Sequence, residues 1–440
     1  LLYRHVADRS QSGQELWWGG FASKMTAMLL TWEWRHKMKL SLCAIVKNEE
    51  AALPSCLDSV KDVVDEIVVL DTGSTDRTPE IARDFGANVY NFEWCDDYSA
   101  ARNESLKYAT GDWILVLDAD EMLVPEVVPQ IKEAIENEDY LLINLMRQEV
   151  GAAQSPYSLV SRLFRNHPYI YFSHPYHSMV DDSVANLLKT SQGWQVVNLA
   201  PVAILHEGYK PGTIAALDKF TRARQAMESY LAQHPCDPYT CSKLGALYVQ
   251  MGEIERGIQL LEVGLKGVPS WGEPKSVEVP VLYELHYHLG IAYARRQQIS
   301  KAKSHYRAAL EQGLLPQLKL GAYNNLGNLL LESGDLTGAK SAYETALQIE
   351  PNLATAHFNL GIALKEKGRL KEAIASYRQA IELNPNYAEA HQNLGVALFK
   401  AGNVVESLDR FRQAISLYEE RQSPAASQLR QSLKDMGMRV

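Results

Sequence analysis

Apolar positions change period twice along this chain, and the changes divide it. Between Leu40 and Leu117, four apolar runs alternate with segments of helical spacing. The runs are Leu40–Val46, Glu66–Leu70, Asn88–Phe92 and Trp113–Leu117. The intervening helices are expected over about 51–60, from Thr78 to about Phe85, and over 98–108, with Thr78 as N-cap because the residue before Pro79 avoids α geometry. Strand–helix alternation predicts a parallel sheet with helices on both faces. The last run is uncharged until it meets Asp118, Asp120 and Glu121, so acidic side chains stand where such a sheet carries its ligands. A strand continuing past Leu117 would place Asp118 and Asp120 on one side.

After Glu121 the strands come closer together. A helix is expected over 127–136, then strand-like runs at 140–147, 159–164, 169–172 and 195–205, mixed with antiparallel pairing and covering loops. A long amphipathic helix over 213–235 leads out of this region. From there the pattern is repetitive: Asn325-Leu326-Gly327, Asn359-Leu360-Gly361 and Asn393-Leu394-Gly395 recur every 34 residues. Gly334, Gly368 and Gly402 keep the same step, as do Tyr343, Tyr377 and Phe411. Two degenerate units, around Gly245 and Gly290, precede them. This helix–turn–helix unit resembles the tetratricopeptide repeat, whose units bury their apolar faces only by stacking into a superhelix. About five units are expected over 236–420, with 421–440 as a cap, and the resemblance implies a concave surface for a peptide or protein.

Composition adds limits. The chain has 440 residues, a formal net charge of -9 and five cysteines without a CxxC pair. That argues against general nucleic-acid binding and against a disulfide framework, and fits a reducing, cytoplasmic setting. No apolar run is long enough to span a bilayer. Residues 1–37 read as an extension outside the fold.

The α/β half contains neither GxGxxG nor GxxxxGK[ST], which disfavours dehydrogenases and P-loop enzymes. It has acidic groups at successive strand ends instead: Glu49-Glu50, Asp71, then Asp118 and Asp120. Carboxylates so placed can bind the hydroxyls of a nucleoside or hold a divalent cation on its phosphates. Four ordered motifs, Ala44-Ile45-Val46-Lys47-Asn48-Glu49-Glu50, Asp71-Thr72-Gly73-Ser74-Thr75-Asp76-Arg77-Thr78, Ser99-Ala100-Ala101-Arg102-Asn103 and Leu117-Asp118-Ala119-Asp120-Glu121, resemble family 2 glycosyltransferases of the GT-A fold, over about 38–212. With the repeats, the chain is similar to a bacterial subgroup joining that domain to tetratricopeptide repeats.

The resemblance implies an α/β GT-A-type nucleotide-sugar-binding domain followed by an all-α repeat superhelix, acting as a metal-dependent inverting transferase. A nucleoside-diphospho-sugar donor would be contacted by Asn48, Glu49, Asp71 (on the base), Ser74, Arg102, Asn103 and Asp118 (on the ribose). Asp120 would ligate Mg²⁺ or Mn²⁺ with His206. The catalytic base is open among Asp181, His177 and Glu207, because related sequences commonly show His-Glu where this chain has His177-Ser178. Two alternatives stand beside this reading: a nucleotidyltransferase, and a repeat scaffold that binds a nucleotide-sugar without turnover.

Overall fold

The computed structural model describes residues 37–152, 155–207, 216–268 and 278–438. The expected extension therefore lies, Lys37 apart, outside the described residues. Strands β1 (Leu40–Val46), β2 (Glu66–Asp71), β3 (Asn88–Asn91) and β4 (Trp113–Val116) are parallel and lie in the order β3-β2-β1-β4. The order reverses between β1 and β4, which opens a crevice at their carboxyl ends. Strands β5 (Glu121–Leu123), β6 (Tyr140–Glu149), β7 (Tyr157–Arg165) and β8 (Gln195–His206) extend the sheet as β4-β7-β6-β8-β5. Within this part β7 is antiparallel to β4 and β6, while β8 runs parallel to β6 and antiparallel to β5.

Both faces of the sheet are covered, and the pleat sorts the apolar side chains between them. Trp113, Leu115 and Leu117 share one core with helices α1 (Leu53–Val60) and α4 (Val128–Ile135). Ile114 and Val116 point into the other, beside Val184 and Leu187 of α5 (Asp181–Thr190). Helices α2 (Thr78–Asp84) and α3 (Tyr98–Leu106) complete the crossovers. Trp113 is fully buried and donates its indole N–H to the Ile135 carbonyl at 2.9 Å.

Three local expectations change. Strand β4 stops at Val116, and Asp118–Asp120 form a turn closed by the Glu121 N–H on the Asp118 carbonyl at 3.0 Å. The two aspartates are thus separated by turn geometry, not aligned by a pleat. The run at 169–172 is not a strand; next to it, Ser173 and Met179 form an isolated antiparallel bridge. Helix α5 was not anticipated, although Asp181 and Asp182 in its first turn complement the helix dipole.

Helix α6 (Ala216–Gln233) leads to ten helices that pair as α7/α8 (Pro238–Gln250, Ile254–Gly267), α9/α10 (Val279–Arg295, Ile299–Glu311), α11/α12 (Leu320–Glu332, Leu336–Ile349), α13/α14 (Ala354–Glu366, Leu370–Leu383) and α15/α16 (Ala388–Lys400, Val404–Glu420). Helix α17 (Ala425–Asp435) closes the end, with Leu429 and Leu433 in the core of the last pair. The repeated glycines explain the pairing distance. A Cβ at Gly327, Gly361 or Gly395 would come within 2.5, 2.6 or 2.7 Å of the ring of Tyr343, Tyr377 or Phe411. Gly334, Gly368 and Gly402 turn between paired helices at φ of 82°, 74° and 85°, where glycine is favoured. No described helix is long and apolar enough to cross a membrane.

Candidate active site

The turn after β4 is held by a buried charge network. Asp118 accepts from Arg102 of α3 and from Arg162 of β7, each at 2.7 Å. Burial alone would raise the Asp118 carboxyl, but the two guanidiniums outweigh it and hold the group well below the usual carboxylate range. Glu121 is fully buried, accepts the Asp118 N–H at 2.9 Å and pairs with Arg147 of β6 at 2.8 Å. Arg147 also reaches Glu149 at 2.8 Å. The buried members Glu121, Glu149, Arg102 and Arg162 each have an opposite partner, as burial of a charge requires, while Asp118 keeps about a third of its side chain exposed.

Asp120 belongs to a second arrangement. His206, the last residue of β8, places Nε2 3.2 Å from Asp120 Oδ2, and its Nδ1 is bonded to Glu149 at 2.5 Å. Burial disfavours the imidazolium, but hydrogen bonds to Asp120 and Glu149 lift His206 to about 9. A carboxylate behind a histidine fixes the ring so that the other nitrogen faces the site, the usual support for a metal-binding imidazole. Among the described residues no group of three or more His, Cys, Asp or Glu side chains forms a self-sufficient metal cage. The donor set here, one carboxylate oxygen and one imidazole nitrogen, suits a divalent ion whose remaining ligands are phosphate oxygens and water.

Both arrangements line one cavity of about 1440 Å³. Its walls include Lys47 at the end of β1, Ser161 and Arg162 of β7, the 174–179 loop and Asp181. Asp181 accepts from Ser161 Oγ at 3.0 Å through one oxygen, while the other is buried without a partner. Burial lifts its carboxyl to about 6, with the Ser161 hydrogen bond working against that rise. The far wall comes from the helical half: Tyr230 of α6, Tyr239 and Lys243 of α7, and Glu284 of α9. Lys243 and Glu284 pair at 2.7 Å.

Residues 41–191 match Glycosyl transferase family 2, and 327–368 and 363–402 match the TPR repeat. A TPR repeat-containing protein of Synechococcus elongatus is 44% identical over 71% of this chain and 76% of its own length. An uncharacterized glycosyltransferase of Rickettsia bellii is 30% identical over 43% of this chain and 67% of that protein. The chain belongs to the family 2 glycosyltransferases. The SPbeta prophage-derived glycosyltransferase SunS of Bacillus subtilis is 31% identical over 44% of this chain, which spans under half (45%) of that relative. Among solved structures, the TPR protein YrrB matches at TM-score 0.37 and 20% identity, covering 48% of this chain and 99% of that one. The helix pairing described above, not that likeness, identifies the array.

In this glycosyltransferase, the residues expected to meet a donor fall into two groups. Glu49, Arg102, Asp118, Asp120, His177, Asp181 and His206 line the common cavity. Asn48, Asp71, Ser74, Asn103 and Glu207 are not among its described lining residues. Asn48, at φ 56°, accepts from Thr75 N and donates its own N–H to Ser74 Oγ, joining the β1–α1 and β2–α2 loops. Asp71 caps its own loop by accepting from the Gly73 and Ser74 N–H groups. Asn103 clamps the Phe172 backbone, donating to its carbonyl at 2.9 Å and accepting its N–H at 2.7 Å. The Glu207 N–H donates to the Asp120 carbonyl at 3.1 Å, which secures the turn that carries Asp120. Cys236 and Cys241 are free thiols. Sequence reasoning missed Arg162, Arg147, Glu149 and Lys243. Charged residues within otherwise apolar strands, Arg147 and Glu149 in β6 and Arg162 in β7, are unusual, but their charge alone does not say what they pair with.

Proposed function

We propose that this glycosyltransferase moves a sugar from a nucleoside-diphosphate donor, with inversion, onto an acceptor held where the catalytic domain meets the repeat array. The observation that carries the reading is Asp181: a carboxyl poised near neutrality, with one oxygen buried and unpartnered, in the cavity that also holds Asp118 and Asp120. Inversion by single displacement needs a base that takes the acceptor proton as the acceptor oxygen, nitrogen or sulfur bonds to the anomeric carbon. Asp181 takes that proton on its free oxygen, and the sugar–diphosphate bond breaks on the opposite side. It is preferred to His177 and Glu207 because Asp181 lines the cavity with one carboxylate oxygen left without a hydrogen-bond partner.

On the donor side, Asp71 and the loop it organises receive the base, with Asn48, Glu49 and Ser74 shaping that pocket. Asp118, fixed by Arg102, receives the ribose, while Asn103 holds the adjoining backbone. Asp120 and His206 would hold Mg²⁺ or Mn²⁺, which when bound neutralises charge on the departing diphosphate. The acceptor class best suited to a repeat array is a polypeptide, since stacked helical pairs present an extended binding face.

A thermal-shift screen of nucleoside-diphospho-sugars with and without Mn²⁺ tests this reading, because a ligand that binds the native state raises its melting temperature by mass action. Donor hydrolysis and transfer to candidate polypeptides follow for each hit. A donor that binds yet is neither hydrolysed nor transferred with any divalent metal would sink the catalytic reading.

A further inference from the structure

The 172–179 loop is an unusual piece of chain. Ser173 and Met179 bridge its ends through two backbone hydrogen bonds of 2.9 and 3.1 Å. His174 and His177 inside it adopt φ of 69° and 55°, conformations disfavoured for residues with a side chain. Such backbone persists only where its surroundings over-determine it. Here those surroundings come partly from the first repeat. Asp237, the N-cap of α7, accepts from His174 Nε2 at 3.2 Å, and Tyr239 donates its hydroxyl to the His177 carbonyl at 2.9 Å.

The other side of the loop grips the donor end of the catalytic domain. The Ser178 carbonyl accepts from Arg102 Nη1 at 3.3 Å, and the Pro175 carbonyl accepts the Tyr98 N–H at 3.0 Å, at the start of α3. The Arg102 guanidinium also lies 5.3 Å from the Phe172 ring centroid. Its Nε is buried without a partner, so the Ser178 and Asp118 contacts are its anchoring hydrogen bonds. An unbroken run of contacts therefore joins Tyr239 to Asp118: hydroxyl to His177 carbonyl, next residue's carbonyl to Arg102, guanidinium to carboxylate.

We propose that Tyr239 and Asp237 of the first repeat are positioning residues for the donor site, acting through the 172–179 loop on Arg102 and Asp118. The inference rests on the reading of Asp118 as a donor contact. The array then does more than present an acceptor: its first helix completes the catalytic domain's own geometry. Tyr239 acts at a distance from the reacting atoms. It fixes the backbone that fixes the arginine.

The test uses the full chain with Tyr239→Phe and Asp237→Asn, against Tyr157→Phe. The last variant removes a different hydrogen bond across the junction, Tyr157 to Glu350 at 2.7 Å, without touching the loop. Donor hydrolysis without acceptor is the readout, so altered acceptor binding does not enter. Loss of one such hydrogen bond should raise the donor KM about five- to tenfold in Y239F, with kcat within about twofold and Y157F like wild type. Hydrogen exchange, read in parallel without donor, should quicken in Y239F at 172–179 and at the first turn of α3. An unchanged donor KM and exchange in Y239F, or an equal response in Y157F, would overturn the proposal. If wild type turns over no nucleotide-sugar while Y239F still loosens the loop and α3, the proposed function fails and the positioning role stands.

Discussion

His206 Nε2 stands 3.2 Å from Asp120 Oδ2, with Glu149 behind the ring on Nδ1. The two residues are distant in sequence, one in the turn after β4 and one at the end of β8. Asp120→Asn keeps the shape and removes the carboxylate proposed to hold the metal. Transfer measured at saturating Mn²⁺ should fall by about 100-fold or more, and Glu149→Gln should cost about 10–100-fold through the misoriented imidazole. Chelation should abolish activity in wild type and Mn²⁺ restore it. Full activity in D120N would remove the metal role assigned to this pair.

Asp181 sets the expected pH dependence. Its folded value of about 6 lies above the ordinary 3.8, so between those values the native state binds more protons than the unfolded one. Stability from this group is complete below the unfolded value and is lost as pH rises through about 6. Asp181→Asn should therefore be more stable than wild type at pH 8, by about 1–2 kcal/mol, and no more stable at pH 4. Activity should run the other way, because Asp181 must be ionised to act as the proposed base. A log kcat/KM profile rising to a plateau near pH 6 in wild type, with D181N losing transfer throughout, is the expected result; a profile flat from pH 5 to 8 would assign the base elsewhere.

The Glu121–Arg147 pair has a structural consequence separate from chemistry. Glu121→Gln leaves Arg147 and Arg162 short of one buried counter-charge and should destabilise the domain by about 3–5 kcal/mol in urea unfolding. A loss below about 1 kcal/mol would mean that water reaches the network.

In the array, Gly361→Ala forces a Cβ to within 2.6 Å of Tyr377 Cε1. Overpacking at that contact should cost about 1–3 kcal/mol and lower the array's thermal transition. Donor hydrolysis should be unchanged, since the fourth helical pair contributes no described residue to the cavity. Reduced hydrolysis would show that strain travels along the stack.

The sequence displayed these parts unequally, for physical reasons. The repeats were visible because close helix approach demands a small residue at each recurrence, and Gly327, Gly361 and Gly395 each lie under an aromatic ring. Strands β1, β2 and β4 were visible because a strand buried on both faces is a nearly continuous apolar run, whereas the more exposed β3 was placed by its position in the strand–helix alternation. Asp118 and Asp120 stood out at the end of such a run, but not the turn that separates their roles. Arg102 carried a motif, whereas Arg162 had none, although both reach Asp118 at the same 2.7 Å. Arg162 comes from an antiparallel strand whose register no local pattern reveals. Asn103 was marked by the same motif as Arg102, yet its amide serves the Phe172 backbone, because neighbours on a helix point in different directions. Lys243 and Tyr239 were hidden most completely, since their contribution depends on how the array folds back on the sheet.

That fold-back divides the array's duties by position. The first two helical pairs supply wall to the cavity, and the third meets the catalytic domain through Glu350 and Tyr157. The fourth and fifth pairs repeat the same glycine-under-ring joint and end in α17. Because the joints within the third, fourth and fifth pairs are alike, the stack could gain or lose a whole unit between the third pair and the cap without altering a described side chain in the cavity. The length of the array beyond the junction would then vary in fixed steps, while the cavity walls at its near end stayed constant.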